Sequence, residues 1–111
     1  MKIINLLIIF VLFLFSPMVM SETSQLNKAI SHAEEASNAK SGKEVATHAQ
    51  EAKASALEAK QAGNFSDDAK YHLEAGIISL EHAIENGKAG MEGKAHQQAA
   101  DAVKHFKEIK Q

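Results

Sequence analysis

The sequence predicts an all-α fold, an up-down-up-down four-helix bundle, on three observations. Apolar residues recur at three- and four-residue spacing through four stretches after residue 21. Glycine breaks those stretches at Gly42, at Gly63 and across "NGKAGMEG", residues 86–93. No run alternates with period two, so strands have no support. Short connections make consecutive helices antiparallel, which fixes the order.

The first 21 residues precede this pattern. Lys2 is followed by "IINLLIIFVLFLF", then Ser16-Pro17, with Val19 and Ser21 where small residues precede a cut. This reads as a secretory signal peptide, residues 1–21, cleaved after Ser21. The alternative is an uncleaved membrane anchor. Spanning a bilayer takes ~20 apolar residues, and this run is shorter and closed by Pro17. Residues 22–111 then form a single domain outside the cytoplasm, with no stable membrane insertion once the leader is removed.

The first helix is predicted over Ser24–Ser41, capped by Thr23 or Ser24, with Leu26, Ile30, Ala33 and Ala36 as its apolar stripe. Gly42 supplies a C-cap or tight turn. The second runs from Lys43 to Ala62 with Val45, Ala49, Ala52, Ala56 and Ala59 on one face, and Gly63-Asn64 stops it. Ser66 caps the third, where Asp67 and Asp68 complement the helix dipole, and Ala69, Leu73, Ile77, Leu80 and Ile84 continue it to Asn86. The fourth covers Glu92–Lys110, with Ala95, Ala99, Ala102, Phe106 and Ile109 inward. The two halves echo each other, each running from a histidine helix through a Gly-Lys turn into another, as in a duplicated helical hairpin.

Nineteen of the residues after Ser21 are alanine. The core falls to Leu26, Ile30, Val45, Leu57, Phe65, Leu73, Ile77, Leu80, Ile84, Val103, Phe106 and Ile109, with alanine filling the rest. Alanine favours helix but buries little area. High helicity with thin tertiary stability is the expectation, and Gly76 weakens the third helix further. Residues 22–111 hold 11 lysines and 14 carboxylates, a net charge of −3 with neutral histidines, which disfavours nucleic acid as a partner. The absence of cysteine excludes disulfides and thiolate metal sites.

All six histidines, His32, His48, His72, His82, His96 and His105, lie after the leader. Four repeat one spacing: His32–Glu35, His48–Glu51, His82–Glu85 and His105–Glu108. Residues three apart share a helix face, so each pair presents nitrogen and oxygen together. A single such pair is only a weak, screened attraction. Four copies point to metal binding, because neutral imidazole with carboxylate suits divalent copper and zinc. One pair supplies two ligands, so a site needs a second helix. Counting helical rise from the predicted ends puts His48, His82 and His96 at one height, near Glu51 and Glu85. His72 and His105 fall at the opposite end with Asp68, Asp101 and Glu108. Met91 adds a thioether beside the first group or merely covers the bundle end.

No catalytic set competes: there is no H-E-x-x-H, no phosphate loop, and no serine or cysteine positioned as a nucleophile beside a plausible base. The alternative reading is a non-enzymatic structural or protective module that binds another protein through its apolar stripes.

"KAISHAEEA", "THAQEAK", "DAVKHFKE" and "GNFSDDAKYHLEAGIISLEHAIENGKAG" together resemble the small metal-binding protein family of secreted, histidine-rich four-helix bundles. The resemblance spans residues 26–108. It implies a periplasmic protein that binds divalent ions, Cu(II) foremost with Zn(II) or Ni(II) tolerated, and that buffers or scavenges them. His32, His48, His72 and His105 occupy family-like positions. Ala39, Ser55 and Ser79 stand seven residues after the first three, where the family places further histidines. Asn86, Met91 and Gln98 also replace histidines, and His82 and His96 do not match the pattern. The chain resembles a histidine-depleted member.

Overall fold

The structure, a computed structural model, describes residues 22–110; the leader lies outside the described residues. Four helices follow in order: α1 (Glu22–Ser37), α2 (Gly42–Ala62), α3 (Asp67–Lys88) and α4 (Glu92–Lys107). There are no strands among the described residues. Each helix packs on its neighbour in sequence, α1 closes against α4, and α2 touches α4 across the diagonal. This is the up-down-up-down bundle that the apolar spacing predicts.

The helix starts follow their capping chemistry. The Glu44 N–H donates to Ser41 Oγ at 3.2 Å, and the Ala69 N–H donates to Ser66 Oγ at 3.2 Å. These bonds satisfy amide groups that have no partner inside the helix. Gly63 ends α2, its N–H returning to the Ala59 carbonyl at 2.9 Å. Between α3 and α4, Gly90 turns the chain at φ +81°, a left-handed conformation in which glycine avoids the Cβ penalty.

α1 ends at Ser37, four residues before the predicted Ser41. The cause is Ser41 itself, which caps α2 and leaves Asn38–Lys40 as a connection. Gly42 is accordingly the first residue of α2 rather than a C-cap of α1. It is buried against the C-terminal turn of α3, where a Cβ would stand 2.7 Å from the Gly87 carbonyl oxygen. Small residues let these two backbones meet.

The core joins Leu26, Val45, Leu73, Ile77, Leu80 and Phe106 to a ring of fully buried alanines. Ile30, Ile84 and Val103 are half-buried at its margin. Leu57 is the exception, 38% exposed, because it sits one step around α2 from the buried Ala56. The polar Ser55 is buried on that helix instead. Gly76 also acts otherwise than predicted: the Phe106 ring occupies the space its Cβ would fill. The glycine seats the largest fully buried side chain of the core.

Ion pairs follow the joints between hairpins. Lys53–Glu81 (3.1 Å) and Lys60–Glu74 tie α2 to α3, and Lys107–Glu34 (2.9 Å) ties α4 to α1. The histidines meet carboxylates within the hairpins.

Candidate metal centres

The first cluster lies between α1 and α2. His32 is five residues before the end of α1, and His48 is six residues into α2, so the antiparallel hairpin sets them at one height. Each carries its glutamate three residues on, turned to the same face. His32 Nδ1 is 3.0 Å from Glu35 Oε1 and 3.4 Å from Glu51 Oε1. His48 Nδ1 is 3.1 Å from Glu51 Oε1 and 3.5 Å from Glu35 Oε1. Each carboxylate oxygen thus lies between both imidazoles, and all four donor atoms fall within 4.8 Å of one another.

Those distances match a coordination polyhedron. Ligands about 2.05 Å from a metal stand about 3.3 Å apart in a tetrahedron and about 2.9 Å apart, as neighbours, in a square plane. The four nitrogen–oxygen separations of 3.0–3.5 Å lie around the tetrahedral value and just above the square-planar one. Metal ligation requires unprotonated imidazoles, and the two carboxylates then bring a charge of −2, which one divalent ion would cancel. The side chains are partly exposed, leaving a path for the ion.

The second cluster lies at the other end of the bundle, between α3 and α4. His72 Nδ1 is 3.4 Å from His105 Nδ1 and 3.2 Å from Glu108 Oε1. The two rings are tilted 35° with centroids 5.7 Å apart. His72 is well enclosed, 18% exposed. Asp68 Oδ2 lies 3.9 Å from the opposite ring nitrogen, Nε2, within reach of a bridging water. A carboxylate in that place orients a ligating imidazole from behind. Three donors form the group, so an ion held there would take its remaining ligand from solvent or an incoming molecule. Asp101, expected here, is half-buried on α4 outside the group.

His48, His82 and His96 do not converge. His48 faces His32, because the early end of α1 raises His32 to its level. His82 is exposed on the outer face of α3, with Glu85 beside it. His96 Nε2 bonds to the Ala39 carbonyl oxygen, holding α4 to the α1–α2 connection. Fourteen residues separate His82 from His96, against sixteen for His32 and His48. A difference of two residues turns a side chain about 200° around a helix, so the second hairpin does not reproduce the first cluster. Met91 is exposed at the start of α4 and belongs to neither group.

The sequence pattern described as "Small metal-binding protein" matches residues 1–109. The chain belongs to the small metal-binding protein family. As a member of that family it is a metal-binding protein, and both groups gather nitrogen and oxygen donors suited to an ion. No curated protein and no solved structure matched the chain. The four histidines at family-like positions, His32, His48, His72 and His105, are the ones in the two clusters; the other two lie outside both. One signal for the first cluster was present in the sequence. "SGKE", residues 41–44, has the S-x-x-E form of a capping box, and it places the start of α2, and so the end of α1, where the structure has them.

Proposed function

We propose that this protein binds divalent metal, Cu(II) foremost, in the periplasm and buffers or scavenges it without catalysis. The observation that carries the reading is the convergence of His32, Glu35, His48 and Glu51 from two antiparallel helices. Imidazole and carboxylate donors bind copper most tightly among first-row divalent ions, and a tetragonal N,O set suits Cu(II) or Ni(II). Zn(II) takes the same donors in a tetrahedron. Partial exposure of both clusters favours an exchangeable cargo over a permanently enclosed cofactor. The leader-like residues 1–21 support export.

Calorimetric titration of the purified protein with Cu(II) tests this. Two classes of site are expected within the chain. His32→Ala/His48→Ala should remove the four-donor class alone, and His72→Ala/His105→Ala the three-donor class alone. Uptake unaltered in both double variants would refute the assignment. Recovery from the periplasmic fraction of a chain beginning at Glu22 checks the location.

A further inference from the structure

Three of the four His-x-x-Glu copies contribute to the two clusters: two in the first, and His105–Glu108 in the second. The remaining copy, His82 and Glu85, stands exposed on the outer face of α3. Neither side chain makes a hydrogen bond or ion pair among the described residues. We propose that His82 and Glu85 are half of a third divalent-metal centre, completed by the same pair from a second copy of this chain. The proposal rests on the metal-binding reading above and adds a partner to it.

The first cluster shows what complements such a pair. There, two His-x-x-Glu segments on antiparallel helices interleave so that each glutamate oxygen touches both imidazoles. That arrangement is close to two-fold symmetric although one chain supplies it. A true two-fold axis passing between His82 and Glu85 sets two α3 helices antiparallel and builds the same donor set from identical segments, as an isologous interface requires.

The surroundings suit this occupant. Tyr71 and Ile78, 64% and 49% exposed, lie on the same face as His82, along a shallow groove. Two large apolar side chains are far short of the ~800 Å² per partner that a stable interface buries. Glu74 and Glu81 are already paired with Lys60 and Lys53, so Glu85 is the carboxylate left to face its own counterpart, and two bare copies repel there. A divalent ion removes the repulsion and supplies the missing attraction. Association therefore depends on metal.

Sedimentation velocity of the purified protein, in chelator and at saturating Cu(II), tests the proposal beside the calorimetric titration. Monomer in chelator and dimer with Cu(II) are expected, with one ion per two chains beyond the uptake of His82→Ala. His82→Ala, an exposed position, should stay monomeric while still filling the two centres within the chain. Ile78→Lys should do the same. Wild type that takes up Cu(II) but remains monomeric would overturn this proposal and leave the proposed function standing, as would a His82→Ala variant that still dimerises. Absence of Cu(II) uptake would overturn both.

Discussion

Gly76 shows how one residue type misleads when read alone. Glycine inside a helix costs about 1 kcal/mol relative to alanine, and the sequence suggests a weak point. In the bundle the same glycine receives the Phe106 ring, which is fully buried and has nowhere to retreat. Gly76→Ala should therefore destabilise the protein despite its better helix propensity. Overpacking costs about 1–3 kcal/mol, of which the propensity gain returns about 1, for a net loss of up to about 2 kcal/mol in urea unfolding. A more stable variant would mean that the ring is not seated there. Histidine side chains were equally ambiguous. Their face on each helix was legible from the three-residue spacing to glutamate, but their partner was not. His96 has no glutamate at that spacing and bonds a backbone carbonyl instead.

Among elements, the start of α3 and the end of α2 could be read closely, because Ser66 and Gly63 act through local chemistry. The end of α1 could not be read from its own residues. Alanine and serine continue through the connection without an apolar break, and the boundary is imposed by the cap of the next helix. Four residues of error move a side chain about 6 Å along the axis, enough to exchange one histidine partner for another. Ser41→Ala tests this control. Loss of the cap costs about 0.5–2 kcal/mol. Because Ser41 sets where α2 begins, Cu(II) affinity at the first centre should fall as well, while the second centre is unaffected. Titration of Ser41→Ala against wild type reads both. Equal loss at both centres would show a general loosening of the bundle instead.

At the scale of the molecule, the fold class followed from periodicity, whereas the rotation of each helix did not. Alanine is small enough to face inward at several angles, so a stripe of alanines fixes the buried side loosely. The structure divides its polar contacts by location. Lysine–carboxylate pairs follow the joints between hairpins, and each is worth about 0–1 kcal/mol at an exposed surface. Histidine–carboxylate clusters lie inside the hairpins, and ion binding there adds stability by linkage. At one hundred times Kd a single site contributes about 2.7 kcal/mol. A proton competes with the ion for the ring nitrogen, and imidazole exchanges that proton between about pH 5 and 8. The Cu(II)-dependent rise in Tm should therefore be present at neutral pH and disappear as pH falls below about 5. Thermal scans with and without Cu(II) at pH 7 and pH 4.5 measure it. An undiminished rise at pH 4.5 would exclude imidazole ligation.

Both centres draw every donor from one hairpin, and the loops they close differ. Sixteen residues separate His32 from His48, and 33 separate His72 from His105. Doubling a loop adds about 0.6 kcal/mol to the entropy cost of closing it, so the earlier centre is the easier to assemble. It also asks nothing of the C-terminal half. The first centre therefore depends on the first hairpin alone for its donors, and ion binding there can lead, rather than follow, the packing of the second hairpin.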